Sequence, residues 1–259
     1  MPVIIDGTNG VSTPNTFAFK NRLINAQLLI NQRGVSGTVT LSAGAYGHDR
    51  FKAGASGCTY TFATTNNVTT LTISAGSLQQ VIEGLNLESG TYTLSWTGTA
   101  QGKIGAGSYG ASGITGSITG GTNTTIEFNT GTLSLPQLEV GSTATSFDYR
   151  PYGTELALCQ RYYQQVAGPN NYRVFGQFYN TTAGRVFCPA YVPFRAAPTI
   201  TVTTLTGQAI GSGASTFSST ASLILNTDAV SFDLTGGSPS RTTYQTLVFD
   251  GLLAMTAEL

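Results

Sequence analysis

Charge is scarce in this sequence. Only 9% of its 259 residues are Asp, Glu, Lys or Arg, and twelve basic side chains cancel twelve acidic ones. No basic run occurs, so the electrostatic footprint of a nucleic-acid binder is missing. The carboxylates are scattered singly, whereas glycoside hydrolysis needs two in one cleft. Asp228 and Asp233 are the nearest such pair in the second half, and their odd spacing on a strand sends them to opposite faces. Histidine occurs once, as His48. Counting alone leaves a Ser-His-Asp set open, but the G-x-S-x-G nucleophile elbow is missing. There is no Walker A loop, and the G-x-G pairs within 100–123 precede no helix, so they carry no dinucleotide meaning. No catalytic residue and no cofactor are expected. The three cysteines, Cys58, Cys159 and Cys188, are odd in number and lack metal-ligand spacing. They read as buried thiols, and no metal site is expected. The first residues lack the charged and apolar regions of a signal peptide, and no apolar run approaches membrane-spanning length. The expectation is a chain folded in a cytoplasm, without membrane insertion.

What the sequence does have is Gly, at 32 residues, together with Ser, Thr and Asn at its polar positions, 12 Tyr and 13 Phe. This is the profile of a strand- and turn-rich protein with a neutral, hydroxylated surface. The aromatic and aliphatic content argues against disorder. Short alternating runs separated by turn signals recur along the chain, including Leu23 to Ile30, Thr59 to Ala63, Val68 to Ser74, Thr91 to Thr97 and Arg185 to Val192. The fold class expected is all-β, with two sandwich-like domains. In YTLSWTG the alternation puts Tyr92, Leu94 and Trp96 on one face, which assigns the single tryptophan to a core. Gly- and Ser-rich loops are expected at 206–220 and 235–241, and the apolar ending Leu247 to Met255 reads as buried.

One stretch is better read as helix. Leu156, Cys159 and Tyr163 fall at i, i+3, i+7, and Leu158 and Tyr162 at i, i+4. Pro151 stops the preceding strand, and Gly168-Pro169 supplies a stop. The spacing predicts a helix over 154–165. Its apolar groups cover more than one packed face requires, so Leu156, Cys159, Tyr162 and Tyr163 are candidates for an interface between copies of the chain.

The segment QLEVGSTATSFDYRPYGTELALCQRYY resembles the junction found in many bacteriophage tail-fibre and minor tail proteins. Shorter stretches, NRLINAQLLINQRG with YGHDRF, SLQQVIEGLNLESGTYTLSWTG and VPFRAAPTITV, are similar to other parts of that family, with Phe51 and Phe194 standing where the family favours Trp and Met. The resemblance implies a jelly roll like those of carbohydrate-binding modules, followed by a C-terminal tip. It divides the chain into a jelly roll at 21–150, a connecting helix at 151–168 and a receptor-binding tip at 169–259; residues 1–20, outside the resemblance, read as an N-terminal arm that is either a virion attachment or disordered. Residues 77–82 have helical spacing, but the resemblance makes them strand. Asn25 and Asp148 occupy places that hold structural calcium in some such sandwiches, and two donors fall short of the ~6–8 that calcium takes.

The function expected is non-catalytic binding of bacterial surface polysaccharide or lipopolysaccharide by a homotrimeric virion protein, attached through its arm to another tail protein. A depolymerising tailspike and a purely structural adaptor are the competing readings. Within the tip, Tyr179, Tyr191 and Tyr244, with Arg173 and Arg241 beside hydroxyl-rich loops, are the candidate ligand-binding residues.

Overall fold

The computed structural model describes residues 4–6, 10–12, 19–166, 174–203, 206–209, 213–238, 241, 243–249 and 252–259. The chain forms two compact units, Met1–Leu156 and Ala157–Leu259, and the division falls inside the one α-helix found among the described residues. Both units are built from antiparallel strands, so the protein is all-β and of the sandwich type.

In unit 1, β1 (Ile4–Asp6) and β2 (Gly10–Ser12) form a hairpin. The main sheet uses β3 (Val39–Leu41), β4 (Lys52–Thr65), β5 (Val68–Ile82), β6 (Gly90–Thr97), β7 (Gly102–Ile104), β8 (Ile114–Ile118), β9 (Thr124–Phe128) and β10 (Gly131–Val140). Its order is β3-β4-β5-β10-β6-β8, with β9 on the second half of β5 and β7 on β9. The strand β5 changes partner half-way: Leu71–Ile73 pairs with β10, and Leu78–Ile82 with β9.

Its buried set changes phase at the same point. Thr69, Leu71 and Ile73 face the core before Gly76, and Leu78, Gln80 and Ile82 after it. Gly76 has φ +69°, and a Cβ there would lie 2.0 Å from the Gly57 carbonyl oxygen. Only glycine allows this bend. Residues 77–82, whose apolar spacing is helical, are strand: polar Gln80 is buried between Leu78 and Ile82, and Leu85 is 90% exposed. The core that results joins Phe51, Tyr60, Leu71, Tyr92, Leu94, Phe128 and Leu138. Trp96 belongs to it, edge-on to Phe128 at 5.3 Å, with its indole N–H donating to the Ala100 carbonyl at 3.0 Å.

Leu23 to Ile30 differs from the strand expected. It is irregular, because Asn25 and Leu28 adopt left-handed φ of 59° and 56°. Side chains replace the ladder. Gln80 accepts from Ile24 N–H and donates to Ile24 C=O, both at 2.8 Å, as a neighbouring strand would. The Asn25 amide donates to the carbonyls of Ile30 (2.8 Å) and Asp49 (3.0 Å) and accepts from Ile30 N–H (2.9 Å). That amide is consumed by the backbone, and no group of three or more metal-ligating residues occurs among the described residues.

The helix α1 runs over Tyr152–Gln160 rather than 154–165. Its C-terminal end is shorter because the next residues are claimed by a ladder: β11 (Tyr163–Val166) pairs with the last strand of the chain. Aromatic Tyr163 and Val166 suit that strand, and pairing overrides the helical spacing.

Unit 2 continues with β12 (Val174–Phe178), β13 (Gly184–Pro189), β14 (Thr199–Val202), β15 (Thr206–Ala209), β16 (Gly213–Thr216), β17 (Ser219–Leu225), β18 (Ala229–Thr235), β19 (Thr246–Phe249) and β20 (Leu253–Thr256). The segment 206–220, expected as a loop, therefore carries β15, β16 and the start of β17. A three-stranded sheet, β11-β20-β14, and a seven-stranded one, β16-β15-β19-β12-β13-β18-β17, share one core of Val174, Phe178, Val186, Phe232, Phe249 and Met255. Leu247, Phe249, Leu253 and Met255 of the apolar ending are all buried.

Candidate functional site

Alternation along β12 and β13 sorts their side chains cleanly. Val174, Phe178, Val186 and Cys188 point into the core, while Phe175, Gln177, Arg185 and Phe187 point out. Antiparallel register then sets Phe175 opposite Phe187 and Gln177 opposite Arg185. The two phenylalanines are 55% and 57% exposed, although each is large enough to fill a core position. Paired aromatics across a strand stabilise a sheet modestly, and water-facing ones form a flat apolar platform. Ser231 lies opposite Phe187 on β18, and its buried hydroxyl has no hydrogen-bond partner among the described residues.

One residue pair along, the face becomes polar. Arg185 is opposite Asp233 on β18. Its Nε donates to Asp233 Oδ1 at 2.9 Å and its Nη2 to Oδ2 at 3.3 Å, a bidentate fork that fixes the guanidinium plane. The Tyr179 hydroxyl donates to Asp233 Oδ2 at 3.2 Å, and the Arg185 guanidinium stands 5.8 Å from the Tyr179 ring centre. Partial burial and then the Asp233 charge push the Tyr179 phenol up from its ordinary pKa, so it stays a donor. Asp233 is buried beneath this group, and the Arg185 side chain remains 54% exposed. The pair therefore presents spare guanidinium donors outward at a set angle.

Tyr244 adjoins the same end. Its N–H donates to the Phe178 carbonyl at 2.6 Å, its own carbonyl accepts from the Gln177 amide at 3.4 Å, and its ring is 74% exposed. Arg241 N–H donates to the Thr181 carbonyl at 2.6 Å, which brings that residue to the turn after β12. The turn is set by Asn180, whose Oδ1 accepts from Thr182 and Ala183 N–H. Of the candidates from sequence, Tyr179, Tyr244 and Arg241 thus gather at one end of the seven-stranded sheet. Tyr191 does not join them: it lies past the other end of β13, with its N–H on the Gln164 side-chain oxygen at 2.8 Å. Arg173 lies outside the described residues. Sequence reasoning missed Phe175, Phe187 and Asp233 as a set, since only the register shows that β12, β13 and β18 place them side by side.

No protein-family model matches this chain, and no curated protein or solved structure matches it. The platform and its charged border are accordingly read from their own geometry.

The residues proposed for an interface between copies sit elsewhere. Leu156 is half-buried on α1. Cys159, Tyr162 and Tyr163 are buried within the single chain, where the Tyr162 carbonyl accepts from Ala257 N–H at 2.7 Å and Tyr163 pairs with Thr256. Cys58 and Cys188 are buried too, and burial pushes each thiol up to about 11, far from reactive thiolate.

Proposed function

We propose that the protein is a receptor-binding component of a phage tail that binds bacterial surface glycan without cleaving it. The observation that carries this reading is the outer face of the seven-stranded sheet. An exposed Phe175–Phe187 platform borders the Arg185–Asp233–Tyr179 group, and Tyr244 stands at its end. A sugar ring offers an apolar C–H face and a hydroxyl edge. Aromatic rings suit the first, and an oriented guanidinium and a phenol suit the second. The scarcity of paired carboxylates supports binding over hydrolysis.

The test is adsorption of the isolated protein to host cells, or to their purified polysaccharide. Tyr179→Ala with Arg185→Ala is expected to weaken binding about tenfold or more, and Phe175→Ser similarly, because each removes one recognition element from an exposed site. Unchanged binding in the double variant, with native secondary structure, would remove this face as the receptor site. Release of reducing ends from the same polysaccharide would favour the depolymerase instead.

The same reading includes a homotrimer, since a weak exposed site gains avidity from three copies. A zero net charge offers no long-range repulsion to oppose association. Light scattering on the whole protein is expected to give about three times the 27.0 kDa chain mass. A mass near one chain would overturn it. The arm at 1–20 is proposed to hold the protein on its virion partner.

A further inference from the structure

Unit 1 contains a cavity of about 380 Å³ beside the edge strand β8. Strand β8 is the last in the main sheet and, among the described residues, pairs only with β6. Strand β7 likewise ends the β5-β9-β7 branch. The opening between these two edges has an apolar floor of Ile104 and Ile118, both largely buried. Its walls are the Gly105–Gly107 turn on one side and hydroxyl side chains on the other. Thr119 and Thr122, beyond the end of β8, are exposed there. No charged residue lines it among the described residues.

Gly116 keeps the cavity open. A Cβ at that position would approach the Ile104 side chain to 3.3 Å, so any larger residue would fill the space between β8 and β7. Ile104 is in turn fixed by the sheet, opposite Ile126. The cavity is thus framed by paired backbone rather than by movable side chains.

We propose that this cavity is a second ligand site, taking one neutral pyranose residue with its C–H face on Ile104 and Ile118 and its hydroxyls toward Thr119 and Thr122. The volume falls within the ~300–1,000 Å³ range of small-ligand sites, which are apolar with a few placed polar groups. The uncharged wall excludes an acidic sugar as the preferred ligand, because no cation is there to repay the desolvation of its carboxylate. This inference rests on the glycan-binding reading, and it places a second contact in the other unit. A bare edge strand also admits an extended peptide. The compact floor and the turn that closes one side favour a ring over a strand.

The test uses the full chain labelled at the isoleucine methyls. The probes are the methyl glycosides of glucose, galactose, mannose and N-acetylglucosamine, and a peptide spanning 112–120. The expected result is a saturable shift of the Ile104 and Ile118 methyls with at least one glycoside, while Ile73 and Ile200 stay in place. The shift should be lost in Ala106→Phe, which adds bulk at an exposed position of the mouth, and in Gly116→Val, which fills the interior. Ala106→Phe keeps the test valid if Gly116→Val fails to fold. No shift with any of the four glycosides overturns the proposal, as do shifts that persist in Ala106→Phe. Shifts with the peptide alone overturn it in favour of strand addition. Host polysaccharide that binds through Phe175 and Arg185 yet leaves Ile104 unmoved would sink this site and leave the glycan reading standing. Polysaccharide that binds nowhere would sink the glycan reading itself.

Discussion

Glu155→Ala is expected to destabilise unit 1 by about 3–5 kcal/mol, the cost of leaving a buried charge without its partner. Arg150 Nη1 donates to both Glu155 oxygens, at 3.2 and 3.1 Å, and Nη2 donates to the Asn21 carbonyl. Glu155 also accepts from the Asn25 N–H. The two charged side chains are only 5% and 9% exposed. Removing the carboxylate strands the guanidinium and orphans the Asn25 amide together. Asn21 and Asn25 anchor the irregular segment that follows residue 20, so the loss spreads: Asn21 holds Leu23 and Leu138 N–H through its Oδ1. Trp96, the single tryptophan and a core residue of unit 1, reports the transition by fluorescence in urea. Replacing both partners, as Arg150→Met with Glu155→Met, is expected to recover more than half of the loss, because no charge is then left buried. A Glu155→Ala midpoint matching the parent protein to within about 0.5 kcal/mol would show that the pair is not structural. A chain ending at Pro151 keeps Arg150 and lacks Glu155, so it carries the same defect. A chain ending at Gln160 does not.

This network explains what the sequence could and could not disclose. Alternation is local, so β12, β13 and the core side of Trp96 were legible from period alone. The Asn25–Glu155 contact spans 130 positions, and the Arg185–Asp233 fork spans 48. Neither leaves a local pattern. Leu23 to Ile30 misled for a related reason. Its alternating apolar residues are buried, as a strand's would be, but left-handed Asn25 and Leu28 turn the chain, and distant side chains take over the hydrogen bonds. Over 78–82 the spacing misleads because the inward position between Leu78 and Ile82 is held by polar Gln80, whose amide is paired with the distant Ile24 backbone. Tyr162 and Tyr163 read as a continuing helix because the ladder to β20, about 90 residues away, is invisible from spacing. The platform followed the same rule: each phenylalanine was visible, and their adjacency was set by register.

Acidification from pH 6.5 to 4 is expected to weaken unit 1 by about 3 kcal/mol through His48 alone. His48 is 2% exposed, with its Nδ1 2.9 Å from the Tyr60 hydroxyl and its ring edge-on to Phe62 at 4.6 Å. Gly47 makes the Tyr60 contact possible, since a Cβ there would meet the phenol oxygen at 2.2 Å. Burial lowers the imidazole from 6.5 to about 4 and pushes the Tyr60 phenol up to about 12. The sign follows from proton uptake. Below pH 6.5 the unfolded chain binds a proton at His48, while the folded chain refuses it until about pH 4. The stabilisation is therefore complete above 6.5, falls across that window and is flat beneath it. Glu127 acts lower. Burial pushes its carboxyl up, but hydrogen bonds from Ser77, Lys103 and Tyr109 outweigh this and hold it below the ordinary 4.5, so its contribution is lost only under that value. Urea midpoints read by Trp96 at pH 7.5, 6, 5 and 4 separate the two groups. His48→Gln keeps a polar partner for Tyr60 and has no titrating ring, so its midpoint should be level from pH 7.5 to 5. A variant that still loses stability as steeply as the parent between pH 6.5 and 5 would place the proton elsewhere.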